Sequence, residues 1–492
     1  MEKFNPSPYQ QKIFDFVKSN PSSNLVINAL AGSGKTTTLE KLLEHLPKVS
    51  TIFCAFNKSI VNEISEKLKT QQAGRSYHDR LDVKTMHSFG YSAIRKKFGS
   101  VIVNDNKVYE HIDKVFEKWN IPQEIQEGYK SRVRSLVNIA KLSLCKNTQE
   151  LYERAEHYSI EIFNSEVEKA WEVLLETRKD TKVIDITDMI YYPVLYKINV
   201  GKYKLVLVDE CQDLNRCQQE LMKMMVDSGG RFIAVGDPRQ AIYGFAGADE
   251  ESFKRLSEIP NTSILPLSVN YRCGKSILAA VKHIVPEIQA SEFADEGNVI
   301  ENAVTNDLVD GDFVICRNVR PLVKLCLELL STERKAFLKG KDIGKNLVNM
   351  LKKTKKENFE EAVKVLESEL FMIMKKSMAL GKTEEQAMSS GTYQTYLDKL
   401  GAIQTIGGNV YRTANVIAKI ESMFDDEKNG IALSTIHKAK GLESERVFIL
   451  SPELMPSPWA TRDWEILQEQ NLEYVAITRA KKTLGFIRNY GK

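Results

Sequence analysis

Short apolar runs that end at small or acidic residues recur along this chain: "NLVINA" at Asn24–Ala29, "KLVLVDE" at Lys204–Glu210, "RFIAVGD" at Arg231–Asp237 and "RVFIL" at Arg446–Leu450. Runs this rich in Val, Ile and Leu, without polar alternation, fit strands buried on both faces of a parallel sheet. In such sheets ligands gather at the carboxyl ends of the strands. Between the runs the period changes to that of a helix: Leu39, Leu42, Leu43 and Leu46 fall at i, i+3, i+4 and i+7, and Pro47 closes the element. The opening of the chain thus reads as strand, glycine-rich loop, helix, and the whole as an α/β fold.

Two stretches break the alternation. From Tyr91 to Lys182 the pattern is charged and helical, with aromatics at Tyr109, Phe116, Trp119, Tyr129, Tyr152, Tyr158, Phe163 and Trp171 and no clear buried strand. From Val319 to Asp426 a second helical region contains the lysine-rich "RKAFLKGKDIGKNLVNMLKKTKK" and the loop signals "ALGKT", "SSGTY" and "IGGN". Both read as helical insertions into α/β cores. No fixed-period repeat and no low-complexity tract is present in the sequence.

Composition narrows the class. A chain of 492 residues exceeds one compact core, and 42% hydrophobic with 27% charged residues is ordinary for a globular protein. The formal net charge of +4 is too small for a histone-like binder, so any nucleic-acid contact must come from local patches. No window holds the roughly 18 apolar residues of a membrane span, and "MEKFNPSPYQQK" lacks signal-peptide organisation, so a soluble intracellular protein without membrane partners is expected. The seven cysteines are scattered without a C-x-x-C pair and read as buried thiols.

The candidate chemistry begins at "ALAGSGKT", which fits a Walker A loop except that Ala29 replaces the first glycine. Glycine lets the main chain approach phosphate oxygens and adopt positive φ, so the expected nucleotide-binding set is Ala31, Gly32, Ser33, Gly34, Lys35, Thr36 and Thr37. Lys35 adds charge at the β/γ-phosphates, Thr36 a hydroxyl for Mg²⁺, and the following helix its positive end. "LVLVDECQD" supplies the complement: Asp209 for the metal and Glu210 as the base for an attacking water. An isolated Asp-Glu pair is usually a solvated turn; at the end of a buried strand, in one chain with a phosphate loop, it reads as catalytic.

Further segments resemble, in order, the motifs of superfamily 1 helicases of the UvrD/Rep group. "VDECQD" resembles that group's D-E-x-Q-D, "VGDPRQAIYGFAGA" its G-D-x-x-Q-x-I-Y motif, "LSVNYR" its arginine motif, and "STIHKAKGLE" with "EYVAITRAKK" its last two motifs. "AFNKSI" and the compact length look most like F-box DNA helicases and their viral or bacterial relatives. The resemblance implies two RecA-like cores, each with a mainly helical insertion: residues 1–90 plus 183–256 and 257–318 plus 427–492 as cores, 91–182 and 319–426 as insertions.

By the same resemblance, Gln10 reads the adenine edge, Tyr271 its face, and Glu443 the ribose. Gln240 senses the γ-phosphate, and Arg272 and Arg479 reach it from the second core. Single-stranded DNA is implied at Phe56, Asn57, Lys58, Thr85, His87, Tyr243, Phe245, Thr435 and His437, with 3′→5′ polarity inherited from the group. A lone His87 or His437 is more often a structural histidine, Tyr243 suits a core on spacing alone, and a lysine run such as 335–356 is usually a solvated face. Three departures touch strand grip: the "AFNKS" segment around Asn57 is one residue short, Ala246 stands where relatives carry arginine, and Ser444 where they carry a large apolar residue.

The expectation is therefore an ATP- and Mg²⁺-dependent single-strand DNA translocase and helicase. It is expected to act at single/double-strand junctions in repair, recombination or replication, as a monomer when free, with a loading or replisome protein as partner. A protein-stripping translocase with weak unwinding and a nucleotide-gated binder with little turnover stay open. Neither an N-terminal recruitment domain nor a C-terminal nuclease is expected, so targeting is expected to fall to the insertions or to another protein.

Overall fold

A computed structural model of the chain describes residues 4–46, 49–55, 61–62, 65–66, 81–119, 121, 126–158, 160, 162–242, 251–425 and 429–490. It divides into two units, residues 1–268 and 269–492.

The first unit is built on β1 (Asn24–Ala29), β2 (Thr51–Ala55), β3 (Leu81–Thr85), β6 (Tyr203–Val208), β7 (Val226–Gly236) and β8 (Thr262–Leu267). A short pair, β4 (Ile102–Val103) with β5 (Val183–Ile184), ties the two ends of the helical stretch together. The six long strands form one sheet in the order β3-β2-β6-β7-β1-β8, parallel throughout. Both faces are dry because alternate residues serve different layers. Leu25, Ile27, Phe53, Leu207 and Val235 pack with the helices Pro8–Ser19 and Lys35–His45, while Val26, Ile52, Cys54, Val206 and Ala234 pack with the helical stretch.

That stretch, helices Met86–Phe98 through Asp188–Leu195, therefore shares one continuous core with the sheet, running to Phe116, Trp119, Leu136 and Leu174. Gly90 permits a close helix contact: a Cβ there would lie 1.9 Å from the Met189 carbonyl oxygen.

The second unit repeats the architecture with β11 (Asn298–Ile300), β12 (Phe313–Cys316), β13 (Ala336–Leu338), β14 (Ile431–Thr435), β15 (Ser444–Leu450) and β16 (Ala480–Ile487), after a short pair, β9 (Val269–Asn270) with β10 (Gln289–Ala290). Its sheet, also parallel, runs β11-β16-β15-β12-β14-β13. Helices Val319–Ser331, Lys341–Lys353, Phe359–Ala379, Gly391–Gly407 and Thr413–Met423 share its core, among them Leu322, Leu347, Leu366, Ile403 and Val416.

The chain is thus α/β with two six-stranded parallel sheets, as two RecA-like cores require. Two expected boundaries shift. β8, assigned to the second core by a break at 256, is a strand of the first sheet, because Thr262–Leu267 pairs in register with Asn24–Ala29. The insertion expected from 319 begins later, because Ala336–Leu338 pairs with Ile431–Leu433 and extends the second sheet. Both strands were hidden by their composition: Pro266 interrupts one, and the other spans three residues inside a lysine-rich run.

Candidate nucleotide and strand sites

In the first unit the phosphate loop leaves β1 and enters the helix Lys35–His45 through Gly32 and Gly34, at φ +64° and +78°. Those left-handed conformations are ones glycine adopts freely, and they turn successive backbone N–H groups to one side. Ala31 and Ser33 are buried, Thr36 is half-buried and Thr37 is exposed. The Ser33 hydroxyl has no hydrogen-bond partner among the described residues although it is fully buried. A buried orphan hydroxyl inside a concave array of N–H donors fits a phosphate group. Gln10, 3% exposed, lies beside this turn: its Nε2 donates to Thr38 Oγ1 at 3.0 Å, and its Oε1 accepts from the Ser7 N–H at 2.9 Å, closing a capping box.

Opposite the loop, Asp209 and Glu210 follow β6, and Glu210 is held at φ +50°, a left-handed conformation uncommon for a non-glycine residue and recurrent at active sites. Lys35 Nζ lies 3.5 Å from Glu210 Oε2. Burial works against the Lys35 ammonium, but the carboxylates of Glu210, Asp237 and Asp209 outweigh it and raise its pKa above the usual lysine value. Burial and then the neighbouring Glu210 charge push the Asp209 carboxyl up to about 7, against the pull of Lys35 and of the Glu210 N–H. A divalent cation relieves such crowding of negative charge, and the Thr36 hydroxyl and the Asp209 carboxylate are hard oxygen donors of the kind Mg²⁺ takes.

Two residues that motif reading left without a role organise this corner. Gln212 Nε2 donates to Glu210 Oε2 at 2.6 Å, and its Oε1 accepts from the Asp237 N–H at 3.0 Å. Asp237, fully buried, accepts in turn from Gln240 Nε2 at 2.7 Å. The expected base and the expected γ-phosphate sensor are therefore joined by a hydrogen-bonded line, Glu210, Gln212, Asp237, Gln240. Gly236 makes the approach possible, since a Cβ there would lie 2.4 Å from Gln212 Oε1 and 2.7 Å from Cys211 Sγ. Both residues stand in quoted motifs, but their pairing crosses two loops and leaves no trace in spacing.

In the second unit the expected groups also converge. Arg272 Nε pairs with Glu443 Oε2 at 2.5 Å, and its NH1 donates to the Thr478 carbonyl at 3.3 Å. Lys481, unassigned from sequence, holds the other Glu443 oxygen at 2.7 Å. Desolvation would raise the Glu443 carboxyl, but Lys481 and Arg272 prevail and hold it below the usual range. Arg479 is 1% exposed, its guanidinium donating to the carbonyls of Val475 at 2.9 Å and Leu442 at 3.1 Å. Tyr271 is half exposed, as a face offered to a base must be.

The strand-contact candidates fall into two turns of the same design. Thr85 ends β3 and caps the helix Met86–Phe98 by accepting from the Ser88 N–H, and His87 follows. Thr435 ends β14 and caps the helix Ile436–Ala439 by accepting from the Lys438 N–H, and His437 follows. Both threonine hydroxyls accept here and keep their protons to donate. Burial lowers the His87 imidazole, and burial then Arg317 press His437 down to about 3, so both rings are neutral at physiological pH. Phe56, Asn57, Lys58, Tyr243, Phe245 and Ala246 lie outside the described residues. Ser444 opens β15.

Comparison with known families decides the relationship. The profile of the UvrD/REP helicase N-terminal domain matches residues 9–260, about half of the chain, and that of the UvrD-like helicase C-terminal domain matches residues 430–487. The chain belongs to the UvrD/Rep helicase family. Among curated UvrD/Rep relatives, ATP-dependent DNA helicase Rep of Escherichia coli (strain K12) is 26% identical over 57% of this chain and 43% of that protein. F-box DNA helicase protein 1 of Schizosaccharomyces pombe is 23% identical over 96% of this chain and 56% of that protein. Mitochondrial ATP-dependent DNA helicase HMI1 of Saccharomyces cerevisiae is 25% identical over 58% and 41%. The chain thus spans about half the length of these relatives.

The matched segments include both halves of the described chemistry. The N-terminal UvrD/REP profile covers the phosphate loop, the Asp209–Glu210 pair and Gln240, and the C-terminal one covers Thr435, Glu443 and Arg479. Among the described residues no helix is long and apolar enough to cross a membrane. All seven cysteines are buried and free, as expected of packing thiols.

Proposed function

We propose that this chain is an ATP-dependent single-strand DNA translocase that separates strands, moving 3′→5′ and acting in repair, recombination or replication. The observation that carries the reading is the line from Lys35 through Glu210, Gln212 and Asp237 to Gln240, because it ties a base for water to a sensor of the phosphate being transferred. The names of relatives, ATP-dependent DNA helicase Rep and F-box DNA helicase protein 1, support the same conclusion.

In this reading the loop Ala31 to Thr37 wraps the phosphates, and Lys35 neutralises charge as the terminal one leaves. Glu210, oriented by Gln212, takes the proton of the attacking water. Thr36 and Asp209 would hold Mg²⁺, which when bound would supply positive charge against the phosphates. Gln10 and Tyr271 select adenine, Glu443 takes the ribose, and Arg272 and Arg479 stabilise charge on the departing phosphate, a role worth about 10³–10⁵ in rate where it has been measured. Thr85, His87, Thr435 and His437, with Phe56, Asn57, Lys58, Tyr243 and Phe245, hold the strand. A base stacked on Phe245 is worth roughly 1–3 kcal/mol and indifferent to sequence. A loading or replisome protein and single/double-strand junctions are the proposed partners.

The test is ATP turnover by the purified chain with and without single-stranded DNA, beside Glu210→Gln as the control for contamination. Stimulation that disappears in the variant, followed by unwinding of 3′-tailed but not 5′-tailed duplexes, supports the proposal. Turnover indifferent to DNA refutes the motor.

A further inference from the structure

One ion pair in the second unit lies between the turn proposed to hold the strand and the helix that delivers Arg479. Arg317 directly follows β12, and the register of the sheet sets Cys316 opposite Thr435, so Arg317 emerges beside the Thr435–His437 turn. Its charge reaches the half-buried His437 ring, which desolvation first and Arg317 second hold in the neutral form.

The guanidinium forks onto one carboxylate. Arg317 Nε lies 3.0 Å from Glu469 Oε1 and 3.3 Å from Oε2, and NH2 lies 2.9 Å from Oε1. Glu469 is only 5% exposed, and its Oε2 also accepts from the Ser457 N–H at 2.9 Å, so the carboxylate is fixed from two sides. It stands in the middle of the helix Asp463–Ile477, whose last residue lies about 12 Å further at 1.5 Å per residue and is followed directly by Thr478 and Arg479. The helix Ile436–Ala439, which carries His437, packs against the same long helix.

We propose that Arg317 and Glu469 form a positioning pair that passes occupation of the Thr435–His437 turn by a nucleic-acid strand to Arg479. The inference rests on the strand-stimulated hydrolysis argued under Proposed function. A strand phosphate at the turn pulls on the guanidinium. A fork held by two parallel N–H···O contacts fixes both planes, so the pull moves the helix instead of rotating one partner on the other. A lysine, a point charge on a flexible stem, keeps the attraction and loses that rigidity. The route is short, lies within one unit and consists of packed, paired elements, the physical requirement for coupling between two sites.

The experiment measures Mg-ATP turnover with and without an oligothymidylate strand for the parent chain, Arg317→Lys, Glu469→Gln and the double variant. Strand binding by fluorescence anisotropy and thermal unfolding accompany each. The expected result is a fall of about tenfold in the ratio of stimulated to unstimulated turnover in each single variant, inside the usual span of coupling between sites. The double variant falls no further, and unstimulated turnover and strand affinity stay close to the parent. Full stimulation in Glu469→Gln overturns the proposal, as do losses that add in the double variant. Stimulated and unstimulated rates that fall together with the melting temperature assign the pair to stability alone and overturn it too. A parent chain without stimulation sinks the motor reading and this inference with it, whereas a stimulated parent with indifferent variants sinks only the inference.

Discussion

Asp188 sits in a buried knot of charge among the helices of the first unit, and replacing it with Asn has a calculable cost. Its Oδ2 lies 2.8 Å from Lys107 Nζ and its Oδ1 2.8 Å from Lys141 Nζ, and all three side chains are 0–1% exposed. Lys107 also donates to the Asp180 carbonyl at 2.9 Å and to Tyr192 Oη at 2.5 Å, and Lys141 pairs with Asp185 at 2.7 Å. Desolvation lowers the Lys107 pKa despite Asp188, whereas Lys141, facing two carboxylates, has its pKa raised against the same desolvation. Asp188→Asn keeps the shape but leaves Lys107 without a carboxylate partner in this knot. Removing one partner of a buried pair typically costs about 3–5 kcal/mol, because an uncompensated charge stays buried. At about 2–4 °C per kcal/mol for a domain of this size, the melting transition of the first unit should fall by about 6–20 °C. The exposed pair Lys41–Glu44 is the control: Glu44→Gln should cost under about 0.5 kcal/mol. Scanning calorimetry reads both, and Lys107→Met added to Asp188→Asn should recover most of the loss, because the stranded charge is then gone. A loss below about 1 kcal/mol in Asp188→Asn, or a double variant no more stable than the single, refutes the reasoning.

Glu210→Gln should cut ATP turnover by about 10²–10⁴ while nucleotide binding, followed by a fluorescent analogue, persists; equal losses of both would place Glu210 in binding. Gly236→Ala should cost about 1–3 kcal/mol in urea unfolding and slow turnover as well, because its Cβ would displace Gln212 from Glu210 and Asp237. Asp398→Ala should cost about 1–2 kcal/mol, since its carboxylate accepts from the Val319 and Arg320 N–H groups at 2.7 and 3.0 Å and caps a helix from across the insertion. Strand affinity should stay flat between about pH 7 and 8, because His87 titrates below the ordinary 6.5 and His437 at about 3; an affinity that climbs as pH falls through that window would show charged histidine contacts.

The strands that could be read from the chain were those whose own residues fill both faces of a sheet. Asn24–Ala29 stands where its apolar run placed it, the strands in Lys204–Glu210 and Arg231–Asp237 begin earlier and stop before the acidic residues, and that in Arg446–Leu450 begins two residues earlier. β8 and β13 escaped because neighbours, not composition, make them strands. Pro266 sits in an edge strand, where its missing N–H costs nothing, and Ala336–Leu338 owes its place to pairing with Ile431–Leu433. The helical stretch from 91 to 182 was legible by period, but how its helices pack on one another involves Gly90 against Met189 and the charge knot around Asp188, contacts that local pattern does not encode.

The site divides along the same line. Phosphate-loop chemistry is local: glycine, lysine and threonine must follow one another within a turn, so sequence alone delivers the set. The proton acceptor and the phosphate sensor come from different strands, and what joins them is the parallel order of β6 beside β7, which brings the carboxyl ends of both to one edge of the sheet. Only there can a single glutamine amide face a carboxylate with its nitrogen and an N–H with its oxygen, which also fixes which way Gln212 points. Arg317 and Glu469 repeat the logic across 152 positions of chain. Motifs mark the groups that meet ligands, whereas the groups that hold those in place are selected by the register of the sheets. A residue such as Gln212 or Arg317 therefore becomes visible only once strand order is known, and its substitution should alter coupling before it alters binding.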